Sequence, residues 1–466
     1  MTPLPSLFLP ERTILELGDA FYDPVRPADF PRTIVRFRND RWAEAVGLGA
    51  LSEAEWIRRF ARFEPLEGSL DQPLALRYHG HQFRVYNPQI GDGRGFLFAQ
   101  LRDAKGRLLD LGTKGSGQTP YSRFGDGRLT LKGGVREILA TEMLEALGVV
   151  TSKTFSLIET GEALDRGDEP SPTRSAVLVR LHHSHIRIGT FQRLAYFQET
   201  ENLRRLTDYC LKHYYGEEGG EEGAARLLAH VVGETARLAA SYIAAGFVHG
   251  VLNSDNIAIT AESFDYGPWR FTPFWDGHFT AAYFDHAGLY AFGRQPEAIH
   301  WDVVQLAASL RLIAATDSLT PALERFPETF QRRLVDAVFG RLGIAPGDFE
   351  RDAAFLEDLE TALATQAVEI DRFFFDWRGG RRRGPSPAEA AYADISFSPV
   401  AAKLAGYAPV PEALDHDYWS DEGPCSMHIE EVEAIWRRID KADDWSPLEA
   451  KVAAIRRMGE AMAGAA

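Results

Sequence analysis

Hydrophobic and polar residues alternate along residues 96–114 in the pattern of a β-hairpin. An apolar run at 96–101 is followed by a turn-like segment at 103–106 and a second run at 108–114. Because alternate side chains of a strand point to opposite faces, Lys114 ends the second run on the face opposite its neighbouring leucines. The pattern predicts two paired strands that end either in a lysine with a binding role or in a solvated edge residue.

A helical period follows this hairpin. Apolar residues recur at helical spacing through 134–145, and Gly148 is placed to end the helix. Glu137 falls in the first turns, close to the apolar stripe. Kinase-like folds use a strand lysine and a helix glutamate to hold phosphates. We therefore interpret Lys114 and Glu137 as a candidate ion pair.

The rest of the chain changes from strand patterns to helical patterns. Apolar runs on either side of an acidic, proline-containing loop predict two more strands, and the pattern is helical from about residue 196. A Gly- and Arg-rich segment, 378–385, is interpreted as a solvated linker. The strands are predicted at 154–158 and 176–181, and helices at 41–46, 53–57, 227–246, 301–313, within 320–375, and at 429–439 and 448–462.

Composition narrows the class of protein. The 466 residues are 45% hydrophobic and 25% charged, which is typical of a globular protein, and the formal net charge is −16. Such a charge argues against binding to nucleic acid, although a local basic pocket remains compatible with it. We find no signal-like N-terminus and no apolar window long enough to cross a membrane, so a cytoplasmic location is expected.

The cysteines do not predict a disulfide framework. Only Cys210 and Cys425 are present, and no CxxC motif occurs. This suits a reducing compartment, while a single bridge between the two stays open.

The chemistry centres on residues 249–256 and the segment that follows. Asn256 lies seven residues after His249, and Asp265 lies nine residues after Asn256. Hard cations such as Mg²⁺ take oxygen ligands of this kind, and kinases use a similar succession of His, Asn and Asp. The pattern indicates a metal-binding loop, with an Asx-rich turn as the alternative.

One position departs from kinases. Val251 stands where a kinase carries its catalytic Asp, and a valine accepts no proton. Either the site is inactive or a different carboxylate serves. Asp255, beside Asn256, is the candidate.

Two glycine-rich loops and two arginines are candidates for binding phosphate. Residues 91–95 expose backbone N–H groups beside an arginine, and 119–128 is rich in Gly, Arg and Asp; each also fits an exposed turn. Arg180 and Arg187 suit phosphate oxygens. Between them stand His182, His183 and His185, for which we do not expect a zinc site because no cysteine accompanies them.

These motifs together resemble the selenoprotein O family, whose members are pseudokinases that act as protein adenylyltransferases. The resemblance runs from about residue 78 to about residue 310. It rests on six matches in the same order: GHQF with GDGR, K-x-x-x-x-TPYSR-x-x-DGR, the helix RE, R-x-x-x-SHIR, HGV-x-N-x-DN and FDYGP.

The resemblance implies roles for individual residues. Lys114 and Glu137 correspond to the strand–helix ion pair, Asn256 and Asp265 to metal ligands, and Asp255 to the proposed general base. ATP is the substrate, Mg²⁺ is the expected metal, and the nucleotide is bound flipped relative to kinases. The implied nucleotide contacts are Gly91, Gly93, Arg94, Asp126, Gly127, Arg180, Arg187 and Asp265.

The chain also departs from this family. Arg84 stands where we expect glycine, and the tail beyond about residue 385 is shorter than in relatives. Relatives often carry a cysteine near the position of Thr280 that pairs with one near the C-terminus, whereas residues 270–300 contain none. Redox gating by such a pair is therefore not expected, and Cys425 is interpreted as having no part in one.

The resemblance implies an α+β, protein-kinase-like fold of two lobes. We expect a flanking segment at 1–70, an N-lobe with an antiparallel sheet and one key helix at 71–195, a mainly helical C-lobe at 196–377, and a linker with a helical extension at 378–466.

The implied function is transfer of AMP from ATP to Ser, Thr or Tyr hydroxyls of proteins, without nucleic-acid or membrane partners. Transfer of UMP with Mn²⁺ and a catalytically silent, ATP-binding scaffold remain alternatives. Val251 disfavours a small-molecule phosphotransferase.

Overall fold

The computed structural model describes residues 8–167 and 169–463. Strands concentrate in its first part. They are β1 (Leu9–Glu11), β2 (Tyr22–Pro24), β3 (Ile34–Arg38), β4 (Leu74–Leu76), β5 (Gly80–Gln82), β6 (Val85–Asn87), β7 (Leu97–Arg102), β8 (Leu108–Lys114), β9 (Leu129–Thr130), β10 (Lys153–Leu164), β11 (Thr173–His182), β12 (Phe247–Val248) and β13 (Arg270–Phe271).

The α-helices of the described residues become more frequent from about residue 188 onwards. They are α1 (Asp40–Ala45), α2 (Glu53–Phe60), α3 (Leu131–Ala146), α4 (Ile188–Tyr196), α5 (Thr200–Cys210), α6 (Gly223–Ala245), α7 (Gln295–Leu310), α8 (Thr316–Glu324), α9 (Phe326–Leu342), α10 (Phe349–Thr365), α11 (Ile370–Asp376), α12 (Glu389–Tyr392), α13 (Ser398–Leu404), α14 (Ile429–Ala442) and α15 (Ser446–Ala463). A π-helical turn, Leu211–Tyr215, extends α5. The predicted helices are present, although α4 already begins at Ile188 and α7 begins before Trp301.

An antiparallel sheet is the framework of the first part. In the described residues its strands follow the order β2-β4-β7-β8-β11-β10-β3, with β1 paired to β7 and β9 paired to β11. The predicted hairpin is β7–β8, and β8 pairs on its other side with β11, where Lys114 lies opposite Leu178. The predicted α+β class with an antiparallel sheet is confirmed.

Both faces of this sheet are covered by helices. Trp56 and Phe60 of α2 pack with Phe98 and Phe155 on one face. Helix α3 packs on the other, where its apolar stripe joins a hydrophobic cluster that continues into α6, α7, α14 and α15. Thr130 caps α3 by accepting a hydrogen bond from the backbone N–H of Gly133 (3.1 Å). The sheet and α3 therefore form a rigid base for residues at the end of β8.

The chain ends take part in this framework. Residues predicted as a flanking segment supply β1, β2 and β3 to the sheet. At the other end, Arg456 of α15 donates two hydrogen bonds to buried Glu142 of α3 (2.8 and 2.7 Å), and Lys132 of α3 lies 2.8 Å from Glu433 of α14. The C-terminal helices thus hold α3 in place.

The segment predicted as a solvated linker is packed in the structure. Arg378 is fully buried, stacks on Trp419 and donates to the carbonyls of Gly340 (2.7 Å) and Arg341 (2.9 Å). Arg383 donates to the carbonyl of Phe375 (2.7 Å). The prediction of a solvated hinge is wrong for Arg378, which carbonyls at the end of α9 and the ring of Trp419 hold, and for half-buried Arg383, which the carbonyl of Phe375 holds, whereas Arg381 is exposed.

Two further observations concern the cysteines and the helices. Cys210 is buried, Cys425 is half-buried, and both are free thiols, so no bridge joins these two described residues. None of the helices in the described part of the chain has the length and apolarity that crossing a membrane requires.

Candidate functional site

A cavity of about 720 Å³ opens beside the end of β8 and the loop that follows β12. Glu137 contacts Lys114 in its wall, and Asn256 lies next to Asp255 in the 3-10 turn Ser254–Asn256. The structure brings most of the candidate site residues together here: those that line the cavity are Gly91, Gly93, Arg94, Lys114, Asp126, Gly127, Arg180, Arg187, Asp255 and Asp265.

Lys114 is the centre of a buried group of charges. Its Nζ donates to the carboxylate of Glu137 on α3 and lies 2.6 Å from Oδ1 of Asp265. Lys114 and Glu137 are only 4% and 2% exposed. The solvated-edge alternative for Lys114 is therefore wrong, because β11 covers the strand that a hairpin alone would leave at an edge.

Asp265 is held in an unusual conformation. Its φ is +64°, in the left-handed region that residues other than glycine rarely adopt. Nη2 of Arg180 lies 3.4 Å from its Oδ1. Burial alone would raise the pKa of Asp265, but Lys114, Arg180 and other cations hold it well below its ordinary value. The carboxylate is therefore ionised at neutral pH.

Arg187 connects the sheet side of the cavity to the loop. Its guanidinium lies between the rings of Tyr78 and Phe264, 4.4 and 4.8 Å from their centroids. Nη1 donates to the backbone carbonyl of Asp255 (3.0 Å), and Nη2 lies 3.4 Å from Oδ1 of Asp92. Arg187 is thus a fixed cation in the inner wall.

Asp92 and His185 were missed by the sequence reasoning. Nε2 of His185 lies 2.8 Å from Oδ2 of buried Asp92. Burial would raise the pKa of Asp92, but His185 and Arg187 lower it below its ordinary value. The pair orients Arg187. A signal was available, since Asp92 stands between Gly91 and Gly93, but the segment was noted for its glycines and its arginine.

Of the three neighbouring histidines, two contact each other and the third contacts Glu262. Nδ1 of His185 lies 3.3 Å from Nε2 of His182, and the backbone N–H of His183 donates to Glu262 (2.5 Å). Burial lowers the pKa of His182 and of His183. Across residues 8–167 and 169–463, no group of three or more His, Cys, Asp or Glu side chains could hold a metal ion.

Asp255 is a buried carboxylate beside the arginine. It is 8% exposed, and among the described residues its Oδ1 has no hydrogen-bond partner. Burial raises the pKa of Asp255 to about 6, against the opposing effect of Arg187. A carboxylate with a raised pKa and an oxygen that makes no hydrogen bond can accept a proton.

Asn256 and Asp265 offer oxygen atoms to a cation. Nδ2 of Asn256 donates to the carbonyl of Val251 (3.0 Å), so the amide oxygen remains for a ligand. Asp265 is ionised, and only oxygen donors are involved. Such a set fits Mg²⁺ or Mn²⁺, which also take ligands from phosphate and water.

The two glycine-rich loops are joined to each other at the cavity mouth. Thr119 donates to the carbonyl of Asp92, and Oγ of Ser122 donates to that of Gly93 (2.5 Å). Asp126 accepts two hydrogen bonds from Arg166 (2.8 and 3.1 Å). The prediction that these segments lie at one site is consistent with this contact.

Gly127 fixes the path of the second loop. Its φ is +69°, and a Cβ there would lie 2.3 Å from the carbonyl carbon of Gly117. We expect Gly127→Ala to lower the free energy of unfolding by about 1–3 kcal/mol, because a left-handed site and a backbone clash both oppose the methyl group. Chemical denaturation measures this.

Gly167→Ala is the matched control, since a Cβ at Gly167 meets no atom of the described residues within 4 Å. Equal stability of the two variants would contradict the interpretation of Gly127.

Comparison with known proteins adds independent information. The family model described as "Protein adenylyltransferase SelO" matches residues 7–390. The chain is 49% identical over 466 residues to "Protein nucleotidyltransferase YdiU" of Synechocystis sp., with 94% of this chain and 95% of the relative covered. It is 43% identical to the protein of the same name from Gloeobacter violaceus (96% and 95% covered) and 37% identical to that from Chromobacterium violaceum (74% and 73% covered).

Proposed function

The chain belongs to the SelO family and is a nucleotidyltransferase, and from this premise we propose that it transfers AMP from ATP to Ser, Thr or Tyr hydroxyls of other proteins. The observation that carries the proposal is the cavity's arrangement of charge. Lys114, Arg180 and Arg187 form a cationic inner wall beside the buried carboxylate Asp255, while the kinase proton-acceptor position is Val251.

We propose a two-lobed, protein-kinase-like architecture for this activity. An antiparallel sheet with Lys114 at the end of β8, and Glu137 on the helix that packs against it, supports an N-lobe at about 71–195. The helices that follow would form the C-lobe to about residue 377. On this proposal residues 1–70 extend the sheet, and helices α14 and α15 within 378–466 brace α3.

The triphosphate is proposed to enter with its γ-phosphate directed inward. Three cations can neutralise its charge there, and Arg guanidinium groups hold phosphate oxygens in two-pronged contacts. Gly91, Gly93, Arg94, Asp126 and Gly127 then lie further out, where backbone N–H groups and Arg94 can contact the rest of the nucleotide.

Asn256 and Asp265 are the residues proposed to hold a divalent cation, Mg²⁺ or Mn²⁺. Held by these two residues, such a cation would supply charge neutralisation to the pyrophosphate leaving group. Two sets of contacts support this proposal, because they hold the side chains in place: Lys114 and Arg180 lie beside Oδ1 of Asp265, and Nδ2 of Asn256 donates to the carbonyl of Val251.

The proposed reaction is an in-line displacement at the α-phosphorus. The acceptor oxygen forms a bond to this phosphorus, the bond from the phosphorus to the bridging oxygen breaks, and pyrophosphate leaves. The hydroxyl proton passes to Asp255. Positioning and electrostatic stabilisation contribute most of the rate, as in other phosphate transfers.

Radiolabelled ATP tests the proposal directly. With Mg²⁺ and an extract as the source of acceptor proteins, ATP labelled at the α-phosphate should label proteins, whereas ATP labelled at the γ-phosphate should not. Label from the γ-phosphate would indicate kinase chemistry instead. Nucleotide binding without labelling in Mg²⁺ or Mn²⁺ would indicate a silent scaffold, and preferential labelling from UTP would indicate UMP transfer.

A further inference from the structure

Phe124 is exposed in a way that the fold does not explain. Its side chain is completely accessible to solvent at the mouth of the cavity. The ring takes part in none of the aromatic or cation contacts found within residues 8–167 and 169–463. A fully exposed ring makes no packing contribution to the fold, and at the mouth of a cavity it can be covered by a ligand that enters the cavity.

The backbone around Phe124 is firmly held. Gln118 donates to the carbonyl of Gly125 (2.8 Å), and the backbone N–H of Gly125 donates to the carbonyl of Ser122 (2.7 Å). Arg123, next to the ring, has a φ of +53°. Strain of this kind collects at ligand-binding sites. The loop therefore presents the ring in a defined place.

The cavity offers a nucleotide base little other aromatic surface. Tyr78 is buried and covered by Arg187, and the ring of Tyr121 lies against Gly91, where an added Cβ would come within 2.5 Å of it. Of the aromatic residues that line the cavity in the described part of the chain, Tyr78 is buried and Tyr121 is half-buried, whereas Phe124 is fully exposed.

We propose that Phe124 stacks on the base of the bound nucleotide and so contributes to the affinity of the cavity for nucleotides. This inference rests on the proposed function. If the triphosphate is directed towards Lys114, the base lies at the outer end of the cavity, where Phe124 is. An aromatic ring can stack on any nucleotide base. The contact is strong enough that removing the ring by substitution changes the binding affinity measurably.

Binding measurements separate the base from the phosphates. The probes are a non-hydrolysable ATP analogue and inorganic tripolyphosphate, each titrated with Mg²⁺ into the full chain by calorimetry. We expect Phe124→Ala to raise the dissociation constant of the ATP analogue by about 10- to 100-fold. The dissociation constant of tripolyphosphate should change by less than about 2-fold. Phe124→Trp should bind the analogue at least as well as the unmodified chain, because it keeps a ring.

Tyr283→Ala is the matched control, since Tyr283 is 80% exposed and lies outside the cavity lining. It should change neither titration. Equal weakening of both probes by Phe124→Ala, or no weakening of the ATP analogue, would overturn the inference. Failure of the proposed function would be seen in a different measurement, because the unmodified chain would then label no protein from ATP labelled at the α-phosphate, whatever the two titrations show.

Discussion

Replacement of Asp255 by asparagine should slow AMP transfer by about 10²- to 10⁴-fold, the usual contribution of a general base. Asparagine has nearly the same shape as aspartate but accepts no proton from a hydroxyl. The side chain of Asp255 is not part of the proposed phosphate-binding wall, so affinity for the ATP analogue should change little. Initial rates of protein labelling and calorimetric titration measure the two quantities.

The stability of this variant provides an internal check. Burial raises the pKa of Asp255, which means that the charged form is disfavoured in the fold. Removing that charge should therefore leave the free energy of unfolding unchanged or increase it. A large loss of stability would show that a drop in labelling came from misfolding.

A second carboxylate serves as the control for Asp255→Asn. Asp317 is exposed at the start of α8 and does not line the cavity, so Asp317→Asn should label proteins at the unmodified rate. Full activity of Asp255→Asn would refute the general-base role, and another group near the acceptor hydroxyl would then have to accept its proton.

The hydrophobic periodicity of the sequence predicts individual strands and helices, but it does not show which of them lie next to each other in the fold. Period two along β8 placed Lys114 on the correct face, and period 3.6 placed Glu137 close to the apolar stripe of α3. What the pattern could not show is that β11 covers β8, because Leu178 and Lys114 are paired across more than sixty residues. Burial of Lys114 is a consequence of that long-range pairing.

Contacts with distant residues also explain why the structure of two other segments differs from the prediction. Strands β1 and β2 are three residues long, too short to show a period, and their pairing with β7 and β4 fixes them. Arg378 stands in a Gly- and Arg-rich stretch that is typical of linkers. It is buried because distant parts of the chain supply carbonyl acceptors and the Trp419 ring.

In the site, residue types that bind ligands were predicted more readily than residues that orient them. Arg187 was a candidate because guanidinium binds phosphate. Asp92 contacts Arg187, and His185 in turn contacts Asp92. Only the fold brings these three side chains together. The position of Asp92 between two glycines marks its segment as a loop, but nothing in the local sequence shows that Asp92 contacts Arg187.

Replacement of Lys114 by methionine should damage both stability and chemistry. Glu137 would keep a buried negative charge without its cation, and breaking a buried ion pair in this way costs about 3–5 kcal/mol. A cation would also be lost from the inner wall, so we expect labelling to fall by at least about 10²-fold. Chemical denaturation and initial labelling rates measure these two losses.

The double variant Lys114→Met/Glu137→Gln separates the two effects. Neutralising Glu137 removes the unpaired charge, so the double variant should regain part of the lost stability, and the coupling can be read from a double-mutant cycle. It should not regain labelling, because the phosphates still lack their cation. Lys105→Met, in the exposed β7–β8 turn, should change neither quantity. Recovery of labelling in the double variant would mean that Lys114 serves only to satisfy Glu137, and the phosphate-binding role proposed for it would then be wrong.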